Sequence, residues 1–420
     1  MTASLQSPTL DFGWNPRAQL RCLRCQGVRP MGPEYSGCPD CRSEPGHSPH
    51  RAPLEVIYDD AGPTTTHLTG VADWLSENRQ PIGLRSRIIL GRPEATPLVP
   101  AAPLGRRVYV KNETLNPTWG HKDRLHEVAI GAARLLEARG VLATSTGNHG
   151  AAAAAHATAA GLPSLVFCHE QASSTALLMI SAYGGLVAQL SDEDTRETLA
   201  GLVEDGWFPA TSMDPDISGR ANPYGAEGYK EIAYETVRQL GSMPEAVVIP
   251  TASGDTLYGV AKGFAEISDI AQLPLPLIVA GQPATADALV RSHHAGHRVD
   301  VPDATSIALS VADPVSGRQA MAALRRWNGE AIAASETAIK TATKDFAHIG
   351  LLVEPASAVS LAAYRELLKL ERLGPEDTVV LLATSSGAKW PRELAELNPN
   401  MPIRNRSQLA TALSSAVPAS

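Results

Sequence analysis

A lysine at the mouth of a helix is a candidate nucleophile, and the stretch Asn116-Pro117-Thr118-Trp119-Gly120-His121-Lys122-Asp123-Arg124 places one there. Upstream, Val108-Tyr109-Val110-Lys111 alternates apolar and polar-tipped residues as a strand does, and Asn116-Pro117 breaks the run. Downstream, Leu125, Val128, Ala132 and Leu135 recur at helical spacing, with Gly140 as the expected stop. Lys122 therefore sits near the positive end of a helix dipole. That position disfavours an ammonium, so the expectation is a lysine of lowered pKa whose amine attacks a carbonyl and forms a Schiff base. His121 beside it has the chemistry to move a proton, and equally that of a ring stacked in a pocket wall.

Two further segments have the form of anion cradles. The strand Val141–Thr144 runs into Ser145-Thr146-Gly147-Asn148-His149-Gly150 and then an alanine-rich helix, 151–160. A strand entering a glycine turn and a helix exposes backbone N–H groups, here suited to a substrate carboxylate. The strand Ala246–Ile249 likewise leads through Thr251-Ala252-Ser253-Gly254-Asp255-Thr256 into a helix. A carboxylate at 255 would repel an anion in that cradle, so Asp255 is expected to turn away and cap the helix through the Thr256 or Leu257 N–H. A continuous apolar strand, Val379–Ala383, ends in Thr384-Ser385-Ser386-Gly387. Near the N-terminus, Cys22-Leu23-Arg24-Cys25 and Cys38-Pro39-Asp40-Cys41 flank twelve residues that include Gly27, Pro30, Gly32 and Gly37. Two turns that each present a thiolate pair complete a tetrahedral shell, so the reading is a structural zinc site. Cys168 is expected to be a small core residue.

These segments need elements to position them. Ser164–Cys168, Leu186–Leu190 and Leu277–Ala280 read as buried strands between helical stretches, and such alternation implies a parallel sheet covered by helices. Residues 1–20 read as irregular and 46–95 as a lead-in with one helix near Val71–Asn78.

The lysine stretch resembles the cofactor-lysine motif of fold-type II pyridoxal-phosphate enzymes, and most of all the Asn-Pro-Thr-Gly-Ser-Phe-Lys-Asp-Arg of threonine synthases. The likeness extends from about Pro93 to about Pro391 and takes in Thr96-Pro97-Leu98, Asp313-Pro314-Val315-Ser316 and Val353-Glu354-Pro355-Ala356-Ser357. It implies an α/β protein of two three-layer open-sheet domains with an N-terminal zinc ribbon, as several threonine synthases carry. The implied boundaries are 21–45 for the ribbon, 46–120 with 211–404 for the cofactor domain, 121–210 for a small domain, and 405–420 for a loose tail. By the same resemblance Lys122 holds pyridoxal 5'-phosphate as an imine and later removes the substrate's α-proton. Asn148 bonds the ring hydroxyl, Ala252, Ser253, Gly254, Asp255 and Thr256 cradle the phosphate, and the Thr384 hydroxyl, with Ser385 as second choice, meets the pyridine nitrogen. Ser145, Thr146, Gly147 and His149 grip the substrate carboxylate, while His121 and Trp119 face the substrate.

Several positions depart from the pattern. Trp119-Gly120-His121 replaces Gly-Ser-Phe, and Gly225 stands where Asn-Pro-Tyr-Arg supplies an arginine for the substrate phosphate, leaving Arg220 as its possible stand-in. Two glycines of the phosphate loop are Ala252 and Asp255, and Ser385-Ser386 replaces Gly-His. Threonine synthases eliminate phosphate from the γ-carbon of phosphohomoserine and add water at the β-carbon. Relatives eliminate at the β-carbon to a keto acid and ammonia, or add another nucleophile there, so a β-elimination or β-replacement enzyme is the alternative. A cofactor-free descendant that binds a metabolite is the remaining one.

Bulk properties agree with small-molecule work. The 420 residues exceed the usual size of one core. A net charge of −8 and a pI near 5.9 argue against nucleic acid or anionic membranes as partners. Five cysteines, four of them in close pairs, suit a metal site in a reducing compartment, and the expected setting is cytoplasmic. The resemblance adds a homodimer.

Overall fold

The computed structural model describes residues 13–41, 51–60, 62–83, 90, 95–145, 147–170 and 172–397, Ser218 without its side chain. In chain order the strands are β1 (Ala18–Cys22), β2 (Val28–Pro30), β3 (Leu54–Tyr58), β4 (Leu98–Pro100), β5 (Val108–Asn112), β6 (Val141–Ser145), β7 (Ser164–Cys168), β8 (Leu186–Ala188), β9 (Phe208–Pro209), β10 (Ala246–Pro250), β11 (Leu277–Pro283), β12 (Gly329–Ala334) and β13 (Val379–Ala383). They form three sheets, ordered β2-β1-β3, β12-β11-β10-β13-β5-β4 and β8-β7-β6-β9. The first is antiparallel, the third is parallel, and the second is parallel apart from β4. Every residue of β10 and β13 is buried, which is why both read as unbroken apolar runs: helices cover both faces of the sheet.

The elements depart from the sequence reading where tertiary contacts intervene. β1 begins at Ala18, inside the stretch expected to be irregular, because it pairs with β3 some 35 residues on, Ala18 opposite Tyr58 and Cys22 opposite Leu54. β8 is apolar yet not buried, Leu186 being 64% exposed, since it forms the edge of its sheet. The lysine helix, Lys122–Leu135, stops before Gly140 because Glu137 takes a left-handed φ of 53°. The segment after Asn222 starts as a 3-10 turn, Gly225–Tyr229, and becomes the helix Lys230–Leu240, which ends at Gly241. The expected loose tail from 405 and residues 1–12 lie outside the described residues.

The lysine helix is fixed from below by a buried ion cluster. Arg124 donates to Glu113 at 2.8 Å and to Glu235 at 2.7 Å, and Lys111 donates to Glu235 at 2.7 Å, all four side chains being closed to solvent. These groups join β5, the lysine helix and the helix Lys230–Leu240. Removing one partner of a buried cluster leaves uncompensated charge, so Arg124→Met is expected to lower stability by about 3–5 kcal/mol. Urea unfolding measures this, and a loss under about 1 kcal/mol contradicts it.

Candidate active site

Lys122 opens its helix and is only partly buried, with Nζ 5.6 Å from the centre of the Tyr229 ring. Burial works against its charge, but the Tyr229 phenol, Asp255 and Asp313 outweigh that and hold its pKa above the ordinary lysine value. The dipole argument alone therefore gives the wrong direction. Three acidic side chains from distant segments, invisible at the level of one helix, decide the charge. Asp313 is itself pushed up to about 6 by burial, and Asp255 is raised for the same reason.

His121 ties two strand ends together. Its Nδ1 lies 3.1 Å from the Thr384 carbonyl, which only accepts, so Nδ1 carries the proton and Nε2 accepts from the Thr256 hydroxyl at 3.0 Å. The ring stacks on Tyr229, with centroids 5.4 Å apart. Burial and the nearby Lys122 charge drive its pKa well below the ordinary value, so it stands neutral. Trp119 is the surprise of this turn. It is 46% exposed and holds a left-handed φ of 62°, a conformation that suits the glycine of the motif it resembles. Its carbonyl accepts from the Ser385 hydroxyl and the Ser386 N–H, each at 3.0 Å, and Gly120 bridges to Ser385.

Asp255 does not cap its helix as expected. Its Oδ1 accepts from the Ser212 hydroxyl at 2.9 Å, the Met213 N–H at 3.2 Å and the Gln319 amide at 2.7 Å. The helix Asp255–Ala271 begins at Gly254 with no side chain capping its first turn. Gly254 is required there: its φ is +106°, and a Cβ would come within 2.3 Å of the Ala320 methyl. The Ser253 carbonyl accepts from the Gly317 N–H at 2.9 Å, and Ala252 packs against the apolar core of the larger sheet.

In the turn after β6, the Ser145 hydroxyl accepts from the Gly147 and Gly150 N–H groups, both at 2.8 Å, which folds the turn on itself. Thr146 lies outside the described residues. Asn148 is 6% exposed, its amide donates to both Glu354 oxygens at 2.9 and 3.0 Å, and its oxygen accepts from Ser385 at 3.1 Å. The Thr384 hydroxyl pairs with Ser357 at 2.8 Å. The sequence reading gives no role to Tyr229 or Lys389, and Asp313, Glu354 and Ser357 enter it only within segments similar to threonine synthases. Lys389 donates to the Thr118 carbonyl at 2.8 Å, and burial pulls its pKa down to about 8.

The expected stand-in at Arg220 is directed elsewhere: it donates to the Gly219 carbonyl at 3.1 Å and lies 3.9 Å from Glu204. A Cβ at 225 would meet Leu125 Cγ at 2.7 Å, so a side chain there requires Leu125 to move. Cys22, Cys25, Cys38 and Cys41 gather with all four sulfurs within 4.8 Å of one another, and none of the five cysteines forms a disulfide. Cys168 is buried in the core of the smaller sheet, as expected.

The chain matches the protein family described as pyridoxal-phosphate dependent enzyme over residues 89–385. It is 28% identical over 406 residues to the threonine synthase of Methanosarcina acetivorans, covering 90% of this chain and 94% of that protein. It is 32% identical to the threonine synthase of Synechocystis sp., covering 70% of this chain and 77% of that one. In fold it is similar to threonine deaminase isoform 2 of Solanum lycopersicum, with a TM-score of 0.63 at 21% identity over 81% of this chain and 96% of that one. Maize serine racemase gives a TM-score of 0.61 at 21% identity over 72% and 93%.

Proposed function

Because the chain belongs to the family of pyridoxal-phosphate dependent enzymes, we propose that it removes a side-chain leaving group from an amino-acid substrate in the manner of the threonine synthases. Phosphohomoserine would then lose phosphate from its γ-carbon and gain water at its β-carbon. One observation carries this reading: the His121 ring joins the loop at Thr256 to the strand end at Thr384, directly beside Lys122. That contact supports reading the amine of Lys122, the loop of Thr256 and the strand end of Thr384, from three separate segments, as parts of one site.

The residues fit the cofactor. The uncapped first turn of the helix Asp255–Ala271 keeps backbone N–H groups for a phosphate, while the Thr256 hydroxyl, donated to His121 Nε2, orients that turn. The carboxylate of Asp255, which would repel a phosphate, is spent on Ser212, Met213 and Gln319. Lys122 would hold the aldehyde carbon, Asn148 the ring hydroxyl and Thr384 the ring nitrogen. When bound, pyridoxal phosphate supplies an electron sink for the charge left on the α-carbon.

The protein's own part is to bind, orient and move protons. Lys122 Nζ takes the proton from the substrate α-carbon and is the group placed to return it further along the side chain. The His149 N–H and the hydroxyls of Ser145 and Thr146 would hold the substrate carboxylate, with Gly147 shaping the turn through its N–H to Ser145. His121, neutral and engaged at both nitrogens, serves as a rigid wall that keeps the loop of Thr256 and the strand end of Thr384 in register, with Trp119 at the substrate side. Zinc in the four-cysteine cluster is part of the same proposal. A zinc–sulfur bond of about 2.3 Å in a tetrahedron sets sulfurs about 3.8 Å apart, and Cys22–Cys41 and Cys25–Cys38 stand at 3.6 and 3.7 Å. A homodimer follows from the threonine synthase resemblance.

Gly225 favours a second reading. With no arginine there and Leu125 filling its place, the enzyme acts on a substrate with an unphosphorylated leaving group, by β-elimination or β-replacement. One experiment separates the two. The cofactor-loaded chain is incubated with O-phospho-L-homoserine, and phosphate and threonine are measured. Equal release of both is the expected result. Absence of phosphate, with keto acid formed from serine or threonine instead, moves the assignment to β-elimination.

A further inference from the structure

Three histidines stand together beside the substrate turn, and only His149 belongs to it. His126 lies one helical turn beyond Lys122 and is 0% exposed, while His156, on the helix Asn148–Ala159, is 2% exposed. The rings of His126 and His149 pack with centroids 4.5 Å apart, and those of His126 and His156 6.3 Å apart. The hydrogen bonds dictate where the protons sit. The Ala210 carbonyl can only accept, so its 2.6 Å contact puts the proton of His149 on Nε2. His149 is kept neutral, since burial and the Lys122 charge push its pKa down to about 3. Its Nδ1 is then a lone pair, and His126 Nε2, 3.3 Å away, has to be the donor. His126 Nδ1 becomes a bare lone pair, and it is buried without a hydrogen-bond partner among the described residues.

A second bridge runs beside the first. Asp123 accepts from His156 Nε2 at 3.0 Å and from the Thr118 N–H at 2.8 Å. Two histidine bridges therefore fasten the helix Asn148–Ala159 to the lysine helix, one at its first turn and one in its third.

We propose that His126 is a positioning residue for substrate: by donating Nε2–H to His149 it fixes that ring's tautomer and plane, and with them the seat of the turn Gly147–His149 against the lysine helix. The proposal rests on reading that turn as the grip on the substrate carboxylate. The donor acts through His149 and touches neither substrate nor cofactor. Its loss should loosen substrate binding and leave the later steps alone.

Two measurements test it. In the full chain without cofactor, nitrogen NMR of ¹⁵N-histidine protein at neutral pH should show His126 and His149 both as neutral Nε2–H tautomers. An Nδ1–H tautomer or a charged ring at either position overturns the proposal. In the loaded enzyme, His126→Leu should raise KM for the amino acid about ten-fold with kcat within about two-fold, and His126→Gln, whose amide can still donate, should restore KM to within about three-fold. Equal damage from Leu and Gln, or a loss confined to kcat, means that the ring merely fills space. If the wild-type enzyme turns over no amino acid, the functional reading fails while the tautomer measurement still decides this proposal.

Discussion

Lys122→Ala is expected to abolish the visible absorbance of lysine-bound pyridoxal and to lower turnover by about a thousand-fold or more, since both the covalent anchor and the base for the α-proton go with one amine. The substitution also has a signature independent of catalysis. Lys122 is the cation that restrains the pKa of buried Asp255 and of Asp313, which already stands at about 6. Without it both carboxyls hold their protons to higher pH. A carboxyl whose folded pKa is raised favours the fold below its unfolded pKa, and that contribution is lost as pH rises through the folded value. The alanine variant should therefore lose thermal stability relative to wild type as pH climbs above about 6. Lys122→Arg keeps the charge and should show the catalytic loss without the pH-dependent one. Visible absorbance that survives in the alanine variant would sink the assignment of Lys122.

The ribbon should respond as strongly. Cys38→Ser is expected to reduce bound zinc from about one per chain to a trace and to lower the unfolding temperature by roughly 10 °C or more. The basis is the large share of folding free energy that a structural zinc carries in small metal domains, about 10–16 kcal/mol in isolated zinc-finger peptides. Cys22, Cys38 and Cys41 are buried in the same apolar core as Leu20, Val56, Leu257 and Phe264, so the four-cysteine cluster is continuous with the main body. Polar contacts reinforce the junction: Glu55 of β3 accepts from Tyr258 and from Arg326, the latter at 3.0 Å, and Lys262 donates to the Val56 carbonyl. Tyr258 and Lys262 lie on the helix whose N-terminus forms the proposed phosphate cradle. Chelated protein should accordingly bind the cofactor more weakly as well as melt earlier. Metal-free protein with unchanged melting and cofactor affinity would show that the four thiols need no ion.

Much of the site was legible because its signals are local. A strand ending in a polar turn and a helix is encoded within about fifteen residues, and β5, β6, β10 and β13 stand where period, apolar runs and Pro/Gly punctuation put them. The cysteine spacing is local too, and the four sulfurs do converge. The errors fall where a distant partner decides. β8 looked buried because its residues are apolar, yet edge or centre is a property of the whole sheet. Asp255 looked like a cap because caps lie next to their helix, whereas Ser212, Met213 and Gln319 reach it from outside that neighbourhood.

By itself the sequence determined the alternation of strands and helices, the lysine at a helix mouth, the strand-to-helix turns and the paired thiols, because each depends on residues within one or two turns of each other. Only the tertiary structure decided the charge on that lysine, the neutral state and tautomer of His121, the partners of Asp255, the contact of Leu125 at Gly225 and the histidine bridges to the turn after β6. Each of these is an electrostatic or steric balance among groups brought together from distant segments, and such balances are set by ångström separations that no spacing along the chain encodes.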